Sequence, residues 1–348
     1  MKKVLIIGAG TAGLSAASSL SERGISSVLI ERSAILGGMA TEFGCKGIRE
    51  CVRCDACLAR DKVNEVKRSE LVERIKGANI SKLSGKPGDY RITLSGLSLE
   101  GGKRQVRAGA IICAFGYEPF DAKLDHRLGY GLVGDVISSI DVERQLKATG
   151  RIVVPSTGNN PANVAFIQCV GSRDKRFKQE LCSRACCKSA FKTSQFLKKQ
   201  DPETMITFHY MDWRLNDPRE NVRQWASGQN GVELLRSRPA EVFSGEDHRP
   251  TIRFAAEGDA QVNEKGYDLI VLSVGIAPSS ETSRLAQVLG TEVDRYGFLR
   301  TIPGDACVST RAGIFLAGCC SGPKDLVESA KDGAVAAHKA FQFLEAGL

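Results

Sequence analysis

No stretch of the 348 residues stays apolar for the ~20 positions that a membrane-spanning helix needs, so a helical membrane protein is excluded. Aromatic residues are only 6% of the chain, and its 48 basic and 40 acidic side chains are interspersed. The net charge of +8 therefore does not gather into the basic, aromatic-studded surface of a nucleic-acid-binding protein. Histidines number four, at His126, His209, His248 and His338, and none stands in a metal-ligating pair or beside a Ser/Asp arrangement. Solenoid repeats and low-complexity tracts are missing, which leaves a compact globular reading, and the length points to two domains. A secretory signal is lacking too: Lys2 and Lys3 precede an apolar run, but that run breaks at Gly8-Ala9-Gly10. The twelve cysteines are then expected to be reduced or metal-bound thiols in a cytoplasm rather than disulfide staples.

What is present begins at the first residues. Val4–Ile7 reads as a buried strand, Thr11–Glu22 as a small-residue helix and Ser27–Ile30 as a second strand. Gly8, Gly10 and Gly13 fall at the first turn in the order G-x-G-x-x-G, and Glu31 closes the second strand. Small residues there let backbone approach a pyrophosphate, amides at the helix start meet its charge, and the carboxylate accepts from a ribose. Further strands are predicted at Arg91–Leu94 and Ala110–Phe115, the latter running into the turn AFGYEP with Gly116. A second such ending lies at Tyr267–Ser279. The last segment reads as a strand, Ile314–Ala317, a glycine turn, Gly318–Gly322, and a helix from about Leu326 to Ala346; it resembles the closing segment of flavin disulfide-reductase folds, a likeness that implies a helix N-terminus facing a flavin.

These elements predict an α/β protein with two nucleotide-binding-type domains, the second inserted in the first: residues 1–119 with 275–348 as the flavin half, and 120–274 between them. The inserted part opens with a predicted strand, Asn163–Gln168, after which a nicotinamide-binding domain would carry its own glycine triplet. In its place stands Cys169-Val170-Gly171-Ser172-Arg173.

That cysteine opens the pattern C-x12-C-x3-C-C, formed by Cys169, Cys182, Cys186 and Cys187. Four soft thiolates from a strand end and a helix start, predicted to begin near Ser183, suit an iron–sulfur cluster better than zinc, whose sites usually combine two close-spaced pairs. Arg173, Lys175, Arg176, Arg184 and Lys188 are expected to offset its negative charge. A first group, Cys45, Cys51, Cys54 and Cys57, resembles a ferredoxin half-motif until its fourth position, where Asp61-Lys62 replaces Cys-Pro. Its readings stay open: a labile disulfide beside the nucleotide, a second cluster with Cys45, or a docking point. The stretch MDWRLNDPRENVRQW is read as packing or partner surface. A rival reading makes the chain a stand-alone NAD(P)H-dependent disulfide reductase using Cys54 and Cys57, against which the missing second glycine triplet argues.

The stretches VLIIGAGTAGLSAA, GGMATEFGCKGIRECVRCDAC, AIICAFGYEPFD, VAFIQCVGSRD, LCSRACCKSA, IVLSVGIAPS and GIFLAGCCSGPKDLVESA together resemble the A subunit of heterodisulfide reductases and its relatives in sulfur-oxidising prokaryotes. The most specific of them is VAFIQCVGSRD followed by LCSRACC. The resemblance implies a thioredoxin-reductase-like flavoprotein of two Rossmann-type domains, with FAD between Gly8, Gly10, Gly13, Glu31, Gly38 and the Gly318 turn. Arg32, Met39, Gly116, Cys319 and Lys324 join these as candidate FAD neighbours. It further implies a [4Fe–4S] cluster on Cys169, Cys182, Cys186 and Cys187, a homodimer, and association with B- and C-type subunits. Without an added N-terminal iron–sulfur domain or an inserted ferredoxin domain, the chain is expected to resemble the compact relatives of sulfur-oxidation complexes.

Overall fold

The computed structural model describes residues 3–96, 98–215, 217, 220–259 and 261–347. By its internal contacts the chain forms two units, one of residues 1–41, 55–118 and 277–348, the other of residues 42–54 and 119–276. The expected boundaries at 119/120 and 274/275 stand beside crossings at 118/119 and 276/277, and the cysteine-bearing segment 42–54 groups with the second unit.

In the first unit five parallel strands lie in the order Ile314–Leu316, Ala110–Cys113, Lys3–Ile7, Ser26–Glu31 and Val72–Lys76. The three central and C-terminal ones, Lys3–Ile7, Ala110–Cys113 and Ile314–Leu316, are short apolar runs buried on both faces, as parallel sheets require. An antiparallel meander, Asn79–Lys86, Asp89–Ser95 and Lys103–Ala108, covers one side. On the other, helix Thr11–Glu22 packs against the long C-terminal helix Leu326–Glu345 at backbone distance: a Cβ on Gly333 would stand 2.2 Å from the Ala12 carbonyl oxygen. Ser15 Oγ donates across this contact to the Ala330 carbonyl at 2.7 Å.

The second unit repeats the plan. Its parallel strands run Val232–Arg236, Met205–Tyr210, Asn163–Val170, Leu269–Val274 and Val136–Ser138. A three-stranded meander, Glu241–Ser244, Pro250–Phe254 and Asn263–Gly266, sits on one face. Helices Ser139–Thr149 and Cys186–Gln200 line the other. Among the described residues no helix is long and apolar enough to cross a membrane.

Candidate functional site: a nucleotide turn and a thiol cluster

The first strand ends at Ile7 and the chain turns through Gly8 at φ +99°, a conformation that side chains disfavour. Helix Thr11–Glu22 starts from Gly10, which offers no side-chain cap, and nothing lies within 4 Å of where its Cβ would stand. A helix start with no side-chain cap and open space beside Gly10 is the kind of place an incoming pyrophosphate needs. A Cβ on Gly13 would lie 1.9 Å from the Gly8 carbonyl oxygen, so only glycine lets the helix sit on the turn. Glu31, 8% exposed, accepts through Oε2 from the Ala9 amide and through Oε1 from the Ser33 amide, both at 2.9 Å. The Gly37 amide donates to the Ala9 carbonyl at 2.7 Å, and a Cβ on Gly38 would stand 2.9 Å from Gly10 Cα.

Gly318, at φ +67°, lies against Ala12 of the same helix. Lys324 braces this turn: its Nζ donates to the Gly318 carbonyl at 3.2 Å and to Ser321 Oγ at 3.0 Å, and pairs with Asp332 at 3.2 Å. The structure thus gathers Gly8, Gly10, Gly13, Glu31, Gly38 and Gly318, and these residues fit FAD. Met39 is half-buried in the short turn Gly38–Glu42, Gly116 has open space beside it at φ +77°, and Arg32 is exposed. The Cys319 thiol turns inward and donates to the Lys324 carbonyl at 3.3 Å, which leaves only its backbone for a nucleotide. The C-terminal helix is closed by a capping box: Asp325 accepts from the Glu328 amide at 2.8 Å and Glu328 from the Asp325 amide at 3.0 Å. Two carboxylates therefore offset the partial positive charge expected at that N-terminus.

In the second unit, strand Asn163–Val170 runs two residues past its predicted end, and Cys169 sits inside it at φ +61°, in a bulge where the register with Leu269–Val274 shifts. Gly171 follows at φ +65° with the Phe120 ring over it, where a Cβ would be 1.9 Å from Cγ. The chain then loops out and back: Asp174 and Gln179 exchange amide bonds at 2.8 and 3.1 Å, and the Arg173 amide donates to the Leu181 carbonyl at 3.1 Å. This closure returns Cys182 towards Cys169. The next helix is Cys186–Gln200, three residues later than its predicted start, because Ser183 does not cap it. Ser183 is buried and its hydroxyl bonds Ser172 Oγ at 3.1 Å and Cys186 Sγ at 3.7 Å.

Cys169, Cys186 and Cys187 are buried and their thiols hydrogen-bond through Cys186. Bonds from Cys169 and Cys187, then from Ser183, hold the Cys186 thiol well below the ordinary thiol range. The two donors are pushed up, first by that bond and then by burial. Cys182 is half-exposed and accepts from the Arg184 amide at 3.4 Å. Among the described residues no three His, Cys, Asp or Glu side chains close on one point as a single ion demands. A cubane instead takes four thiolates at separate corners, and soft donors converging from a bulge, a loop and a helix start fit it. Of the expected basic neighbours, Arg173 pairs with Asp212, and Arg176 with Asp174 and Asp125. The residue that sequence reading missed is Arg214: its guanidinium bonds Cys182 and Asp212, and its amide bonds Cys187. It lies in the stretch read as packing or partner surface, and no local motif marks it.

The first cysteine group forms no disulfide and is mostly exposed, with Cys54 half-buried. Arg53 and Asp55 adopt left-handed conformations around it. Its loop is pinned by Lys46, whose Nζ meets Glu143 Oε1 at 2.5 Å with both side chains buried, and by the Gly44 amide, which donates to Glu143 Oε2 at 3.1 Å.

Residues 3–98 match the FAD dependent oxidoreductase family. The A subunit of the ferredoxin/F(420)H(2)-dependent CoB-CoM heterodisulfide reductase of Methanosarcina acetivorans is 31% identical over 99% of this chain and 54% of its own length. An A-type iron-sulfur subunit of the CoB–CoM heterodisulfide reductase of Methanopyrus kandleri is 38% identical over 70% of this chain and 38% of its own. The chain thus spans about half the length, or less, of these curated relatives. Thioredoxin reductase of T. acidophilum superposes with a TM-score of 0.64 at 16% identity, covering 98% of this chain and 99% of its own. That of Lactococcus lactis gives 0.61 at 19%, covering 99% and 100%. The chain is a homologue of heterodisulfide reductase A subunits, built on a thioredoxin-reductase-like FAD oxidoreductase fold.

Proposed function

We propose that this chain is the FAD- and [4Fe–4S]-carrying electron-transfer subunit of a heterodisulfide-reductase-like complex in cytoplasmic sulfur oxidation, a homodimer that works with B- and C-type subunits. The observation that carries the reading is the thiol cluster after strand Asn163–Val170, where a nicotinamide-binding domain would present a glycine turn. When bound, FAD supplies exchange between paired and single electrons, and a cubane supplies single-electron relay. The chain's residues do the holding. Gly10 leaves helix amides open, Glu31 stands ready for a ribose, and Lys324 fixes the Gly318 turn. Cys169, Cys182, Cys186 and Cys187 offer the thiolates, with Arg214 beside two of them. Partner subunits are supported by the relatives, each of which is named as one component of a heterodisulfide reductase.

The test is anaerobic purification followed by flavin, iron and acid-labile sulfide assays. One FAD and about four irons per chain are expected, with a broad absorbance shoulder that dithionite bleaches. A second cluster on the Cys45 group would raise the iron to about eight. A colourless, zinc-loaded protein overturns the reading, and rapid flavin bleaching by NADH in an iron-free protein decides for the disulfide reductase.

A further inference from the structure

Strand Asn163–Val170 pairs with Leu269–Val274 as Ile167 with Leu272 and Val170 with Val274, so Gln168 and Cys169 together stand opposite Ser273. At this bulge the first of the four thiols leaves the regular ladder. The same place holds three polar atoms that the protein does not satisfy. Gln168 is 7% exposed and Ser273 is 1% exposed, and neither Nε2 nor Oε1 of Gln168, nor Oγ of Ser273, has a hydrogen-bond partner among the described residues. Leaving such groups dry in the interior is costly, and buried orphans of this kind call for a partner.

The sulfurs supply the complementary shortage. Cys182 accepts from the Arg184 amide and is bonded by the Arg214 guanidinium. Cys186 accepts from the Ser183 hydroxyl and the Cys169 amide, and Cys187 from the Arg214 amide. Cys169 differs: among the described residues its sulfur receives no N–H or O–H, its thiol bonds Cys186, and Arg173 acts on it only through charge. Once both sulfurs are ligands neither can donate, and Cys169 keeps no hydrogen bond at all. An acceptor short of a donor thus stands one residue from a donor short of an acceptor. We propose that Gln168 Nε2 donates to the cluster at its Cys169 corner, that Ser273 Oγ donates to Gln168 Oε1 and so aims the amide, and that this pair sets the cluster's reduction potential. All three orphaned atoms are then satisfied. An N–H on sulfur favours the more negative, reduced state and raises the potential. The inference rests on the four thiols holding a [4Fe–4S] cluster, and deepens that reading by naming what tunes it. A buried water between Gln168 and Ser273 would satisfy the same atoms without touching sulfur, and would leave the potential to the other donors.

An EPR-monitored redox titration of the anaerobically purified protein reads the cluster apart from the flavin. Gln168→Met, close in shape but without the amide, should raise the oxidised-to-reduced ratio at a given potential roughly tenfold, a fall of about 59 mV for one electron. Ser273→Ala should move it the same way by less, roughly threefold, and keeps the test open if the Gln168 variant does not fold. Iron per chain and the flavin potential should match wild type in both. Equal cluster potentials in loaded wild type and loaded variants would overturn this inference alone and favour the buried water. Loss of iron from Gln168→Met would do the same by making the amide a support for the ligands, as would a flavin potential that moves as far as the cluster's. An iron-free wild type would overturn the cluster reading itself, and this inference with it.

Discussion

Gly13 has the least room of any residue in the nucleotide turn, since its Cβ position coincides with the Gly8 carbonyl at 1.9 Å. Gly13→Ala must push helix Thr11–Glu22 off the turn, an overpacking cost of ~1–3 kcal/mol, and the open amides would lose their aim. FAD content per chain, read from absorbance, should fall to a small fraction. His209 makes a different prediction. It is buried in strand Met205–Tyr210 with Nδ1 2.9 Å from Ser237 Oγ and Nε2 3.3 Å from Tyr267 Oη, and burial lowers its pKa to about 4. Between the unfolded value near 6.5 and about 4 the unfolded chain takes up a proton that the native state refuses, so stability falls as pH drops through that window. The loss approaches ~3 kcal/mol by about pH 4 and is absent above about pH 7. Urea melts should show a clearly steeper loss across this window in wild type than in His209→Phe, whose remaining slope towards pH 4 comes from carboxylates such as Asp174 that are held low in the fold. The glycines and Glu31 were legible because the turn is local in sequence. Arg214 was not, because its meaning comes from a contact with Cys182 and Cys187 that only the folded loop creates.

At the scale of elements, the opening βαβ unit reads directly from its pattern, and helix Thr11–Glu22 has the predicted ends. Strand Asn163–Val170 and helix Cys186–Gln200 do not, and both failures have one cause. The thiols draw the backbone out of regular geometry, through the bulge at Cys169 and through Ser183 bonding a sulfur rather than capping a helix. Neither leaves a periodic trace. The pin between segment 42–54 and helix Ser139–Thr149 was equally hidden, since a lone Lys46 and a lone Glu143 look like surface charges until burial pairs them. Removing one partner of a buried pair strands the other charge. Lys46→Met should therefore cost ~3–5 kcal/mol in urea denaturation. The double change Lys46→Met with Glu143→Leu should recover much of that loss; no recovery would mean that the Gly44 bond to Glu143, and not the ion pair, holds the loop.

For the whole molecule, the two sites fall in different units, each with its own apolar cores. Those of the first gather around Leu5, Ile6 and Leu14, those of the second around Phe166, Ile167 and Phe208. A ligand that binds only the native form stabilises what it touches by mass action, ~4 kcal/mol at about 1,000 times its Kd. FAD should therefore raise the melting of the first unit, whose residues form the Gly8–Gly13 turn, and metal on Cys169, Cys182, Cys186 and Cys187 that of the second. Scanning calorimetry of the loaded protein is expected to show two transitions. Stripping the flavin should lower one while the other holds, and anaerobic chelation of iron should do the converse. If both transitions moved together under either treatment, the units would unfold as one, and the assignment of each cofactor to its own core would fail.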